Sequence, residues 1–219
     1  MAGKKRPTVR PITDEATRDR ALEVLEAVYQ KEKGWIPDRE KLLPREDLTD
    51  TEVTWFLAEL DDRALGVTRV LYRLPIELYQ KYAFDLVDPS IDVEAFLSNN
   101  KIAEVGRFAV VPEFRDQILI AATLMRAATK ETVERGFTHF ITDVFEGDPT
   151  TPYHFHQRIL GFEVVATHEI GELAHKGRRV TMLLDLKAAY QRMSQKRRWI
   201  FRYITEGWGE RLLGHLKTV

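Results

Sequence analysis

Cysteine is absent from this 219-residue chain, which excludes thiolate catalysis, disulfides and Cys-ligated zinc or iron–sulfur centres. No apolar run approaches the roughly 20 residues that a transmembrane helix requires. The opening residues, MAGKKRPTVRP, are basic with no apolar stretch behind them, so they do not read as a secretory signal. Net charge is also nearly missing, at −1, and there is no internal repeat or low-complexity segment. The expectation is a soluble, cytoplasmic protein. What is present argues against disorder, because 44% apolar and 10% aromatic residues supply material for an ordered core. The length suits one domain, or one domain with an appendage.

The near-zero charge hides an asymmetry. Residues 187–219 carry eight Lys/Arg (Lys187, Arg192, Lys196, Arg197, Arg198, Arg202, Arg211, Lys217) against Glu206 and Glu210, a balance of +6. With the whole chain at −1, the remainder stands at −7. An acidic body (1–186) with a basic, aromatic tail (187–219) predicts an anionic partner for the tail. Trp199, Phe201, Tyr203 and Trp208 interleave with those cations. Three readings stand open: docking on an acidic protein, contact with an anionic membrane surface, and packing against the domain or a second copy. Nucleic acid is disfavoured, since the acidic body would repel phosphates.

Periodicity orders the elements. Residues 7–12 read as an edge strand with prolines at its ends. Thr13-Asp14-Glu15 starts a helix carrying Leu22, Leu25, Val28 and Tyr29, which should stop near Gly34. Residues 35–51 read as a loop. Two β-rich runs, 52–60 and 64–73, flank Asp61-Asp62-Arg63 and predict a hairpin. Residues 75–99 read as an irregular, partly helical insertion. A strand over 101–111 ends at Pro112, and a helix from about 117 to 135 ends at Gly136. A strand at 138–145, a short helix before Gly161, and strands at 162–170 and 178–186 follow. One amphipathic helix is expected from Lys187 to about Ile204, with Gly207 and Gly209 breaking the chain before Leu212, Leu213 and Leu216. The helix after strand 101–111 should act as a crossover, which makes that β-α-β pair parallel. The predicted fold is α/β, a mixed and mostly antiparallel twisted sheet with helices on both faces and a helical tail.

Strand 101–111 ending in VVPEFR, a helix, a strand and then HFHQRILGFEVV resemble the GNAT N-acyltransferase superfamily, over roughly Val9 to Leu186. Within it, AEVGRFAV is similar to the long-chain N-acyl amino acid synthases and their relatives, the acyl-homoserine-lactone synthases. The resemblance implies transfer of a medium- or long-chain acyl group from a thioester to the amine of an amino acid or similar acceptor. One departure stands out. GNAT enzymes that use acyl-coenzyme A carry a loop of the form Arg-Gly-x-Gly-x-Gly/Ala, whose amides hold the diphosphate at a helix N-terminus. Here Arg115 keeps the basic position, but Asp116, Ile118 and Ile120 replace the glycines, within Gln117-Ile118-Leu119-Ile120. Side chains there would crowd a diphosphate and Asp116 would repel it. A phosphopantetheine arm on acyl carrier protein, which the related synthases use, has one phosphate; it is the favoured donor, with acyl-coenzyme A second. The alternatives are an acetyl-coenzyme A acetyltransferase of a protein or small amine, and a GNAT-like binding module without catalysis.

The candidate chemistry centres on the same strand. A carboxylate in an apolar strand is costly unless paired or functional, so Glu104 is either the base that takes the amine proton or a partner of Arg107. Strict alternation places Ile102, Glu104, Gly106, Phe108 and Val110 on one face and Arg107 on the other, unless a bulge intervenes. Gly106 predicts such a distortion. Arg107 is either a bidentate clamp for an acceptor carboxylate or a surface arginine. By resemblance, a strand N–H among Phe108, Ala109 and Val110 stabilises the oxyanion, and donor binding extends over Arg115, Gln117, Ile118, Leu119 and Ile120. His156 falls where many GNAT enzymes have a tyrosine acid, with Gln157 as the one-residue shift; its alternative role is a core histidine. No metal is called for, because His139, His154 and His156 lack a helical i,i+4 pair. Leu74, Ile76, Leu78, Tyr82, Phe84, Leu86 and Phe96 of the insertion are candidates for an acyl-pocket wall, each buried CH₂ contributing about 0.8 kcal/mol. Acyl-chain packing and plain core packing cannot be separated by composition.

Overall fold

In the computed structural model, residues 6–74, 84–171, 173, 177–196 and 198–217 are described. Their contacts divide the chain into two units, 1–71 with 106–129, and 72–105 with 130–219.

In the first unit, Asp14 caps helix α1 (Glu15–Leu25): its carboxylate accepts the Thr17 amide at 2.7 Å, and Thr17 Oγ1 lies 3.4 Å from the Asp14 amide. That reciprocal pair satisfies two otherwise orphaned donors. Leu22, Leu25, Val28 and Tyr29 are buried, as their spacing predicts. The helix continues as a π-helix over Glu26–Glu32 and stops at Gly34, whose φ is +63°. Arg18 is fully buried; its guanidinium donates to the Leu43 carbonyl (3.0 and 2.7 Å) and to Glu40 (2.8 Å), fastening the loop that follows onto the helix.

Strand β1 (Thr8–Pro11) pairs antiparallel with β2 (Val53–Leu60), Thr8 opposite Glu59, and β2 pairs antiparallel with β3 (Arg63–Leu71). The hairpin turn is shorter than the sequence suggests. Asp61 and Asp62 both take left-handed φ values, 51° and 60°, and Arg63 already belongs to β3. Two left-handed residues match the twist of the flanking strands, and aspartate tolerates that region better than most residues. Gly66 of β3 admits helix α3 (Ile118–Glu134) closely: a Cβ there would lie 3.0 Å from Leu124 Cδ1 and 3.1 Å from Ile120 Cγ2.

In the second unit, residues 102–104 of β5 (Ile102–Val110) pair parallel with residues 139–141 of β6 (His139–Phe145), as a crossover through α3 requires. Strands β7 (Glu163–His168) and β8 (Arg179–Asp185) are antiparallel neighbours, β8 also lying antiparallel to β6. A two-residue strand, β4 (Asp85–Leu86), pairs with β7. In hydrogen-bonded order the eight strands run β1-β2-β3-β5-β6-β8-β7-β4, one parallel pairing in a mostly antiparallel sheet. The described part of the insertion holds β4 and helix α2 (Val93–Asn99), which Asp92 caps by accepting the Ala95 amide at 2.9 Å. Ile76, Leu78 and Tyr82 lie outside the described residues.

The tail departs from the expected single helix. Helix α4 (Leu186–Gln195) ends before Lys196, and α5 (Trp199–Thr205) begins after Arg198, which is extended at φ −61°, ψ 141°. No apolar residue stands between Met193 and Trp199, so the stripe that would bury a continuous helix is interrupted there. A third helix, α6 (Glu210–Lys217), follows the break at Gly207, whose φ is +78°. Leu186, Ala189, Ile200, Ile204, Trp208, Leu212 and Leu216 are buried, so much of the tail's apolar content is used in packing within the second unit.

Candidate active site

Strand β5 passes through both units and carries Glu104, Arg107, Phe108, Ala109 and Val110. Its ladder with β6 covers Ile102, Ala103 and Glu104, the last facing Ile141. Three residues on, Arg107 has φ +49°. The distortion predicted at Gly106 is therefore present one residue later, on a side chain rather than on the glycine. A left-handed conformation costs a non-glycine residue roughly 1–2 kcal/mol. Arg107 is also 9% exposed, so the strand holds a charged group out of water at the same strained position. Burial alternates from 103 to 109: Ala103, Val105, Arg107 and Ala109 are buried, while Glu104, Gly106 and Phe108 are half-exposed. Glu104 and Arg107 thus fall in opposite sets despite the distortion.

Within the first unit, Arg107 is framed by a residue that sequence patterning assigned only to the core of helix α1. The Arg107 guanidinium lies over the Tyr29 ring, 5.8 Å from its centroid. The Tyr29 hydroxyl donates to the Phe108 carbonyl at 3.3 Å. Tyr29 sits in the π-helical turn, a local irregularity that often marks functional positions. Helical spacing shows that Tyr29 is buried, but it does not reveal which strand residue it meets.

The segment after β5 is held by contacts of its own. Arg115 is engaged within the chain: Nε donates to the Val110 carbonyl at 3.1 Å, and both terminal nitrogens fork onto Glu32 at 2.7 and 2.5 Å. A bidentate arginine–carboxylate pair of this kind is held both geometrically and electrostatically. The amides are occupied as well. Those of Arg115, Gln117, Ile118 and Ile120 donate to the carbonyls of Pro112, Phe114, Asp116 and Gln117 at 2.9–3.4 Å. Ile120 is fully buried against β3, whereas Ile118 and Leu119 are 36% and 37% exposed at the start of α3. A glycine loop aims such amides outward at phosphate oxygens; here local turns take up four of them.

His156 lies elsewhere in the fold. It lies fully buried in the second unit, in a π-helix (Phe155–Leu160) that ends at Gly161 with φ +86°. The Gly161 and Phe162 amides both donate to its carbonyl, and the Phe162 ring stands edge-on to the imidazole at 4.9 Å. Nδ1 is 2.9 Å from the Pro152 carbonyl, an acceptor only, which places the ring proton on Nδ1 and the lone pair on Nε2. Burial pushes the pKa down to about 4, against a smaller upward pull from that hydrogen bond. Burial therefore favours the neutral imidazole, and its one N–H is directed at the Pro152 carbonyl. Its folded pKa lies below its unfolded value, so stability is full above about pH 6.5 and is lost as pH falls toward 4. Across that window the group should remove about 3 kcal/mol. Chemical denaturation at pH 7 and pH 5 should show a smaller difference for His156→Gln than for the parent; equal differences would refute the assignment.

The other two histidines are separate. His154 is exposed beside Tyr153, and His139 packs edge-on against Phe96 at 5.3 Å. Among the described residues no group of three or more potential ligands converges on a metal-sized site. Phe84 and Phe96, expected along an acyl pocket, pack against His168 (4.9 Å) and His139.

A crossover helix joining a parallel strand pair, inside a mostly antiparallel sheet, is the fold this chain shares with solved acyltransferases. The family model for the N-acyl amino acid synthase FeeM matches residues 20–184, and the chain belongs to that family of acyltransferases. The solved structure of FeeM, from uncultured soil microbes, is 18% identical with a TM-score of 0.62, covering 85% of this chain and 94% of that one. The ribosomal-protein-S18-alanine N-acetyltransferase of Escherichia coli is 12% identical (TM-score 0.56; 82% and 94% covered). A spermidine N-acetyltransferase chimera, from Vibrio cholerae SpeG and hSSAT, is 14% identical (TM-score 0.58; 84% and 98%). At these identities the structures share the fold. No curated protein sequence matches the chain. No helix among the described residues is long and apolar enough to cross a membrane.

Proposed function

We propose that this acyltransferase moves a medium- or long-chain acyl group from acyl carrier protein to the amine of an amino acid, with acyl-coenzyme A as the second-choice donor. The observation that carries the donor choice is the state of residues 115–120. Arg115 is locked on Glu32, four amides are turned into local hydrogen bonds, and Asp116 adds negative charge where a diphosphate would sit. A pantetheine arm with a single phosphate makes less demand on that segment.

In this reading Arg107 forks the acceptor carboxylate, and Glu104, which falls in the opposite set along the strand, takes the amine proton through water rather than directly. The amine nitrogen attacks the thioester carbonyl, with an N–H among Phe108, Ala109 and Val110 facing the oxyanion. The C–N bond forms, the C–S bond breaks, and the nitrogen's second proton is released through solvent, which protonates the departing thiolate. The basic face of the tail is the docking candidate for an acidic carrier: Lys196, Arg198 and Arg202 are exposed, with Trp199 42% exposed among them. The same face suits peripheral contact with the anionic inner surface of a membrane in the cytoplasm.

Incubation with acyl carrier protein thioesters or acyl-coenzyme A thioesters and mixed amino acids, read by mass spectrometry, tests this. Long-chain N-acyl amino acids should form faster from the carrier protein. Product from acetyl-coenzyme A alone would overturn the proposal, as would coenzyme A bound in a crystal with both phosphates on the amides of 116–121.

A further inference from the structure

We propose that Tyr29 is a positioning residue that holds Arg107 ready for the acceptor, an inference that rests on the reading of Arg107 as the carboxylate clamp. Arg107 combines two costs, a left-handed backbone and a buried guanidinium, and a strand of this length does not need either. Tyr29 contacts both parts of that arrangement. Its ring faces the guanidinium, and its hydroxyl grips the carbonyl of Phe108, the residue directly after the strained φ. The ring therefore limits the side chain while the hydrogen bond limits rotation of the peptide that follows.

Tyr29 is itself anchored. Its carbonyl accepts the amides of Trp35 (2.8 Å) and Ile36 (3.3 Å), and its ring meets Trp35 at 5.8 Å. The chain bends back at Gly34 to make those contacts, so the π-helical turn, the bend and strand β5 form one brace. A flexible arginine loses rotamer freedom when it binds a carboxylate; a braced one has already lost it, which favours acceptor binding without touching the donor.

Steady-state kinetics of Tyr29→Leu and Tyr29→Phe, with acceptor and donor varied in turn, test the assignment. Tyr29→Leu should raise the acceptor KM about tenfold and leave the donor KM unchanged, while Tyr29→Phe, which keeps the ring, should recover most of that loss. In an Arg107→Ala background, Tyr29→Leu should add less than about twofold, because the two residues act through one contact. Loss spread equally over both substrates, in step with a lower melting temperature, would make Tyr29 structural and overturn the proposal. The Arg107 Nε–H resonance gives a readout that needs no turnover: the Tyr29 ring should shift it upfield, and an unchanged position in Tyr29→Leu would also overturn it. If the parent enzyme acylates no amino acid from any donor, the reading of the site fails instead, and the resonance still reports the brace.

Discussion

Replacing Glu104 with glutamine should lower kcat by about 10²–10⁴-fold, the range associated with loss of a general base. The size follows from the acceptor. An α-amino group has a pKa of roughly 8, higher for a free amino acid, so near neutral pH most acceptor molecules arrive as ammonium and cannot attack a carbonyl. Glutamine preserves the shape of the side chain and its place opposite Ile141, but it accepts no proton. The deficit should therefore shrink as pH rises toward about 9, where solvent deprotonates the amine. A pH–rate profile of parent and variant reads this directly. A deficit of constant size across the range would make Glu104 a structural residue of β5.

Arg107→Ala should be nearly as damaging, lowering kcat/KM for the acceptor by about 10²–10³-fold, since truncating one partner of a buried charged contact costs on the order of 2–5 kcal/mol. Lysine should not rescue it, because an ammonium cannot reproduce the guanidinium fork. The backbone makes a second, independent comparison available. Arg107→Gly and Arg107→Ala both delete the guanidinium, but only glycine accommodates φ +49° without strain. Arg107→Gly should therefore be the more stable of the two by about 1 kcal/mol, the reverse of the usual order within a strand. Equal melting temperatures would mean that the strain is not held by the native strand. An inactive variant that gains stability would show that the left-handed arginine is kept for its chemistry.

Local rules carried much of the fold. Asp14 and Gly34 delimit the first helix because capping and left-handed termination act within a turn, and both are written in neighbouring residues. The parallel pairing of β5 and β6 follows from the helix between them. Where the expectation failed, the missing information was non-local. The break between α4 and α5 depends on which tail residues find a surface to bury, and an amphipathic count from 187 to 204 does not test for a gap. The hairpin at Asp61-Asp62 was legible, but its length was read one residue too long because the pairing that draws Arg63 into β3 is set by the partner strand.

The candidate site divides the same way. The sequence by itself placed a carboxylate and an arginine on one strand, and its resemblance to GNAT proteins implied an acyltransferase with bulky residues where a diphosphate loop has glycine. Those are statements about which groups exist and how far apart they lie along the chain. Only the tertiary structure decided what each group faces: that Arg115 is closed on Glu32, 83 residues away, that His156 is sealed from water, and that Tyr29 lies under Arg107. The charge state of an imidazole and the freedom of a guanidinium are set by burial and by partners distant in sequence, and those exist only once the chain has folded.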